Sequence, residues 1–391
     1  MLTDTIEPPN DDAMESDDEP WAEPTPRKLD LVFTIDKTGS MGPYIAALKK
    51  NASKISDELV RIEGWDVRFG LVVYQDHYQE GSDEDGSMVS RAWPFTPSMD
   101  ELHANLGPIR SGGGGDGPEA VEAGLKSTLE MEWRHDATKV CVLIGDAPPH
   151  GLGEAEDAFK AGAPTGVDPF VVLGQMATAG IRIYAVGCEP TLSMVFSHGS
   201  DFWVAAAEKT GGQTVALKAA SSLADVIIGA AVQEVDIDDV FEDVKKEVAK
   251  ALSLTDPCLD DDTVVEHVWR TMAEEEATQV RHLNVAELDR TPASARLAEA
   301  KTLGEARTML GIDDVTDCET EDDGEDDEDA QVFDVYRSPG TCHRAGGIDP
   351  ALLKREVKAP EPFHVKIEEQ PLSFEWFQKV YKRAAARGAF K

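Results

Sequence analysis

Three stretches of this sequence carry oxygen-bearing side chains where one hard cation could collect them. In "DKTGSM", Asp36, Thr38 and Ser40 stand at alternate positions directly after the apolar run Leu29–Ile35. Asp116 follows the glycine run in "SGGGGDGPEA", and Asp146 follows another apolar run in "LIGDAPPHG". Carboxylates, hydroxyls and water are the ligands that suit Mg²⁺ near octahedral geometry, with Mn²⁺ and Ca²⁺ drawing on the same chemistry. Other uses exist for these residues: Asp36 would be favourable at a helix N-terminus, and Asp116 could cap "GPEA" with Glu119 completing a capping box. Capping and ligation do not exclude one another. The glycines at 112 to 115 lack the Lys and Ser/Thr of a phosphate loop, and their expected use is to let backbone pass close to the metal loop. Asp76 and His77 follow the run Val67–Tyr74, and His150 sits in "APPHG". Asp76 and His77 follow a strand that ends at the same edge, and the nitrogen ligand of His150 suits Mg²⁺ poorly, so these three are expected at the rim where a partner would bind.

Those residues need elements to bring them together. Six short apolar runs, "LDLVFTI", "VRFGLVVY", "VSRAWPF", "KVCVLIG", "IRIYAVG" and "GQTVAL", alternate with segments of helical period. Near-continuous apolar runs suit strands covered on both faces, and the alternation argues for an α/β fold around a mostly parallel sheet. Ile45, Leu48, Ala52, Ile55 and Leu59 fall at helical spacing behind Pro43, which suits a first turn. "SMDELHANL", "PEAVEAGLKSTLEM" and "DPFVVLGQMATAG" read as further helices, the last stopped by Gly180. Ser222 to Leu252 reads as a long amphipathic helix closing the sheet, with Val226, Ile227, Val240, Phe241, Val244 and Val248 on its apolar face. In an open α/β sheet, ligands gather beyond the carboxyl ends of the parallel strands. All three oxygen clusters fall at that edge.

With these motifs in that order, the sequence resembles the von Willebrand factor type A domain and its metal-ion-dependent adhesion site. The combination "DKTGSMGPYI", "YQDH", "GGGGDGPEA" and "DAPPHG" is similar to the branch of that family found beside atypical alpha-kinase domains. The resemblance implies a Rossmann-like, doubly wound, six-stranded sheet over residues 27–252. It also implies a Mg²⁺ held by Asp36, Thr38, Ser40, Asp116 and Asp146, with one position open to a protein partner, whose carboxylate would complete the coordination. Thr38 stands where Ser is commoner and keeps the hydroxyl. Asp116 stands where many adhesion domains carry Thr, which adds negative charge and reduces the metal's appetite for an anionic partner. The family further implies a shift of the closing helix between states of low and high affinity.

The remaining sequence sets limits. Of the 391 residues, 41% are apolar, enough for at least one sizeable core, and the formal charge is -38. Residues 1–26 and 313–331 are acidic runs, expected to be a solvated tail and a linker, because such segments repel themselves and bury little surface. Between them and beyond, 253–312 reads as a helical extension that includes "DDDTVVEHVWRTMAEEEATQV" and the capped "TLGEARTMLG". Residues 332–391 read as a C-terminal segment ending in a short basic-aromatic helix, a docking element for a partner or for the chain's own acidic run. The charge argues against nucleic acid and anionic membranes as partners. Five widely spaced cysteines indicate neither a disulfide framework nor a zinc site. No signal peptide or membrane span is visible, so the expected location is cytoplasmic.

Two other functions compete with the binding module. A kinase or phosphatase would need a nucleotide loop, a "VAIK"-like lysine, or a second Asp where Thr38 stands; none is visible, and the expectation is that the protein is not an enzyme. The other is a scaffold that works through its acidic and C-terminal segments, with a vestigial metal site.

Overall fold

The computed structural model describes residues 26–62, 64–77, 88–254, 261–274, 279–312 and most of 365–381. The acidic tail, the acidic linker and residues 78–86 of the loop Gln75 to Gly86, which the sequence offers as a source of partner specificity, lie outside the described residues. The central strand is β1 (Arg27–Asp36), which pairs in parallel with β2 (Trp65–Tyr74) on one side and β4 (Thr138–Gly145) on the other. Beyond β4 come β5 (Ile181–Cys188) and β6 (Gln213–Leu217), both parallel, and beyond β2 lies the antiparallel edge strand β3 (Ser90–Thr96). The result is one six-stranded, mostly parallel sheet in the order β3-β2-β1-β4-β5-β6. The expected fold class is the observed one.

Strand alternation sorts β1 between two cores. Leu29, Leu31, Phe33 and Ile35 face α1 (Gly42–Val60), α2 (Met99–Leu106) and the first half of α7 (Leu223–Leu254). The opposite face of the sheet packs against α3 (Val121–Leu129), α4 (Pro169–Thr178) and α6 (Gly199–Thr210). The buried hydroxyl of Thr34 on that face is partnered, lying 2.6 Å from the Thr128 hydroxyl of α3. All five apolar positions read on α1 are buried, and Pro43 stands in its first turn. A short helix, α5 (Thr191–Val195), follows β5.

At the amino end of β1, the fully buried Asp30 gathers four hydrogen bonds. Its oxygens accept from Arg68 Nε (2.9 Å) and Nη2 (2.8 Å), and from Arg134 N (2.7 Å) and Nε (2.8 Å). At the carboxyl end the register pairs Ile35 with Ile144 and Asp36 with Tyr74. Asp36, Asp76 and Asp146 therefore leave adjacent strands at the same edge.

The long helix α7 has 32 residues, about 48 Å at 1.5 Å per residue, which outruns the sheet. Val226 and Ile227 pack on the sheet, while Val240, Phe241, Val244 and Val248 belong to a separate core. That third core is completed by Val265, Val268 and Met272 of α8 (Asp261–Glu274) and by Phe377 and Val380 from the C-terminal segment. The aromatic face expected to dock elsewhere is thus covered by the chain's own α7 and α8. The expected helix through Val280 stops earlier: β7 (Gln279–Asn284) pairs antiparallel with β8 (Lys366–Pro371). Two last helices, α9 (Pro292–Glu299) and α10 (Leu303–Leu310), lie against the second face. α10 begins as read, with Thr302 Oγ1 accepting from Glu305 N at 3.2 Å, and ends at Gly311 with φ of 73°. Among the described residues, no helix is long and apolar enough to cross a membrane.

Candidate metal centre

Three loops meet at the carboxyl edge of the sheet. In the first, Asp36 Oδ1 accepts the Thr38 N–H at 2.7 Å, which turns the chain sharply out of β1. Ser40 Oγ donates to Asp146 Oδ1 at 3.0 Å, joining the first loop to the one after β4. The glycine loop runs against both: Gly112 N donates to Lys37 O at 2.9 Å, and Gly39 N to Gly113 O at 3.4 Å. Gly114, with φ of 98°, sits so close that a Cβ there would meet Glu119 Oε1 at 3.0 Å and Thr38 Cβ at 3.7 Å. The glycines let the backbone lie beside the first loop, which is the use their spacing suggested.

Glu119 is the residue that sequence reasoning missed. It was visible as half of a capping box, but Ala120 takes the cap position of α3 and no side chain caps it. Instead Glu119 N donates to Pro148 O at 3.0 Å, tying the glycine loop to the β4 loop, and the carboxylate turns in beside Thr38. The signal available was the pair of carboxylates three residues apart in "DGPE". Asp116 is half engaged: its Oδ2 accepts Ala158 N at 2.5 Å, His150 Nδ1 lies 4.0 Å off, and its Oδ1 is buried without a partner.

The site is rich in buried oxygens without partners. Asp36 Oδ2, Thr38 Oγ1, Asp116 Oδ1 and Glu119 Oε2 are all buried and lack a hydrogen bond. Burial, and then the neighbouring Asp146, push the Asp36 carboxyl up to about 7. Burial also raises Asp116 to about 7, and it raises Asp146. Glu119 is driven well above the usual range by burial and by the charges of Asp36, Asp76, Asp116 and Asp146. Orphaned oxygens and carboxyls held above their ordinary range have the chemistry of a donor set for a hard cation. Asp36, Thr38, Ser40, Glu119 and Asp146 together offer the oxygen donors that a hard divalent ion takes.

Asp76, Asp116 and His150 also bring ligand atoms within 4.8 Å of one another. Both nitrogens of His150 are already engaged, Nε2 with Asp76 at 2.9 Å and Nδ1 with Asp157 at 2.8 Å. Burial alone would lower the imidazole, but the bonds to Asp157 and Asp76 raise it to about 10, so it is an imidazolium at neutral pH. That cluster has a cation of its own. His77 is similarly satisfied by Glu122 at 2.6 Å. The expectation that Asp76, His77 and His150 line an exposed rim is therefore corrected: they are 2%, 4% and 1% exposed and lie beneath the surface. Among the exposed residues at this edge are Gly39, Ser40, Gly114 and Gly115.

Removal of charge should separate Glu119 from Asp116. Glu119→Gln is expected to weaken Mn²⁺ binding about tenfold more than Asp116→Asn does, because one Asp116 oxygen is already engaged by Ala158 N. Titration calorimetry on the two variants checks this, and equal losses would return Asp116 to the ligand set.

Residues 30–204 match the family model of the von Willebrand factor type A domain, and the chain contains a domain of that family, a fold that often mediates protein interactions. The alpha-protein kinase vwkA of Dictyostelium discoideum is 33% identical over 159 residues, which cover 40% of this chain and 24% of that protein. A putative ariadne-like RING finger protein, R811 of Acanthamoeba polyphaga mimivirus, is 24% identical over 196 residues, covering 49% of this chain and 18% of that one. Among solved structures, the pilus adhesin SpaC of Lactobacillus rhamnosus GG aligns over 54% of this chain and 31% of its own, with a TM-score of 0.39 and 11% identity. The chain spans no more than 24% of the length of either sequence relative.

Proposed function

We propose that the chain is a divalent-metal-dependent protein-binding module, in which Mg²⁺ or Mn²⁺ is held by Asp36, Thr38, Ser40, Glu119 and Asp146. The observation that carries this reading is the set of buried, unpartnered oxygens on Asp36, Thr38 and Glu119. A partner protein reaches the ion past Ser40 and Gly114, which are exposed, and contributes a carboxylate to the open coordination position. The apolar side chains of Met194 and Val195 of α5, 74% and 51% exposed, offer that partner an apolar contact.

Binding rather than catalysis is favoured by the state of the nucleophile and base candidates among the described residues. Cys141 and Cys188 are buried, and burial pushes both thiols up, away from reactive thiolate. His77 and His150 are each tied to carboxylates. The charge of -38 supports a protein partner over nucleic acid. Free buried thiols suit a reducing compartment, which supports the cytoplasm.

The test is calorimetric titration of Mg²⁺ and Mn²⁺ into the full chain and into Asp36→Ala with Asp146→Ala, followed by protein capture with and without chelator. One saturable site that the double substitution removes, and a captured protein that chelator releases, are the expected results. Equal titrations of the two chains would show a vestigial site and overturn the reading.

A further inference from the structure

Much of the positioning at the metal centre is done by the loop from Asp146 to Lys160, which has no regular secondary structure. Pro148 O holds Glu119 N, and Ala158 N holds Asp116. Asp157 accepts from Gly151 N at 2.6 Å and Phe159 N at 2.8 Å, and through His150 it fixes Asp76, whose other oxygen accepts Gly115 N at 3.0 Å. A loop containing Gly151 and Gly153, at φ of 86° and 80°, has much freedom to lose before it can present ligands. Some other element has to restrain it.

That element is α10, which lies about 100 residues beyond the end of the matched domain at 204. Its first residue, Leu303, fits against Gly151 and Gly162: a Cβ on either would meet Leu303 Cδ2 at 2.8 or 2.6 Å. Ile312, just past its end, packs on Gly153 in the same way. Between them Arg307, 6% exposed, donates from Nη1 to Gly151 O at 3.2 Å and to Lys160 O. One guanidinium thus staples both ends of the lobe that carries Asp157 and Ala158. Charge-assisted bonds of this kind are stronger than neutral ones and fix direction as well as distance. The helix is anchored in turn, because Leu303 N donates to Asp168 Oδ2 at 2.7 Å while Asp168 caps α4.

We propose that Arg307 is a positioning residue for the metal centre and that α10 braces the β4 loop so that Glu119 is held ready for the ion while the Asp76 and Asp116 carboxylates, which are tied to the same loop, stay fixed. The proposal rests on the metal-binding reading above. A ligand set held in place binds more tightly because less order is imposed at the moment of binding. In metal sites, loss of such outer partners costs about tenfold to a hundredfold in affinity.

The experiment uses the full chain and four variants: Arg307→Met, Arg307→Lys, Leu297→Ala and Asp146→Ala. Two quantities are read, the Kd for Mn²⁺ and the hydrogen-exchange rates of the Ala158 and Gly115 amides without metal. Arg307→Met is expected to raise Kd about tenfold and to speed exchange at both amides. Arg307→Lys, which keeps the charge but not the forked geometry, should fall between it and the wild type, and it carries the test if the Met variant does not fold. Leu297→Ala removes a buried side chain of α9 in the same core, so it should lower the melting temperature while Kd stays within about twofold. Wild-type Kd and exchange in both Arg307 variants would overturn the proposal, as would an equal loss of affinity in Leu297→Ala, which would trace the effect to global stability. If wild type and Asp146→Ala bind Mn²⁺ alike, the metal-binding reading itself has failed and the role of Arg307 fails with it.

Discussion

Asp36→Asn is expected to abolish divalent-metal binding and, in the same chain without metal, to raise the melting temperature. Both follow from one fact, a carboxylate buried completely with one oxygen unpartnered and Asp146 beside it. With the ion present, the second oxygen is a ligand, and its loss should weaken binding at least a hundredfold, on the order of 3 kcal/mol. Without the ion, the same oxygen carries an uncompensated charge, and an amide of the same shape relieves about 2 kcal/mol, or roughly 5 °C. The pH dependence has a definite sign. Asp36 and Asp116 rise from 3.8 to about 7 on folding, so between those limits the folded chain binds more protons than the unfolded one. Stability therefore falls as pH rises through that window. Glu119 and Asp146 act in the same direction, and so does His150, whose contribution is full below 6.5 and is lost as pH rises through about 10. Asp76 and Asp157, both held below the usual range, oppose this only under strongly acidic conditions. The metal-free chain should therefore melt higher at pH 5.5 than at pH 8, and saturating Mg²⁺ should flatten that slope. Thermal scans of both chains at the two pH values, with and without Mg²⁺, measure all of this. A lower melting temperature for metal-free Asp36→Asn would show that the site is not under electrostatic strain.

The parts that were legible in the sequence are those whose signals are local. Leu29 to Ser40 announces both a buried strand and the polar turn that ends it, because apolar residues stop at Asp36 and hydroxyls alternate after it. The helical face from Ile45 to Leu59 is equally self-contained, and all of its positions are buried. What was not legible depends on residues far away. Asp76, His77 and His150 were expected at the rim because of their place after the strands and the poor fit of a nitrogen ligand to Mg²⁺; Glu122 and Asp157 hold the two imidazoles beneath the surface instead, and neither pairing has a local pattern. The choice between Asp116 and Glu119 turns on a backbone bond from Glu119 N to Pro148 O across two loops. The pairing of β7 with β8 joins Asn284 to Lys366, a separation over which alternation in either segment says nothing about its partner. The apolar face of α7 was found correctly as a face, yet its two halves belong to different cores, because periodicity reports the stripe and not what covers it.

Asp30→Ala should have the largest destabilising effect in the chain, about 3–5 kcal/mol, with a fall in melting temperature on the order of 10 °C. Asp30 and Asp36 lie on one strand, six residues apart and on the same face, and both are fully buried. They differ in what surrounds them. Four donors from Arg68 and Arg134 close around Asp30, and Arg134 also donates to Asp66 Oδ2 at 2.6 Å and to Leu29 O at 3.0 Å. Removing the carboxylate strands two guanidinium groups whose side chains are 25% and 17% exposed; partial access to water holds the cost nearer the lower limit. The metal edge lies about 20 Å along β1, at 3.3 Å per residue, so Mn²⁺ affinity should change by less than about twofold. Denaturant titration and calorimetry on Asp30→Ala and Asp36→Asn together make the comparison. If both substitutions destabilised the metal-free chain alike, burial alone would govern the two aspartates. Opposite signs, with binding lost only at Asp36, would show that the first carboxylate of β1 is held by the fold and the last is held open for an ion.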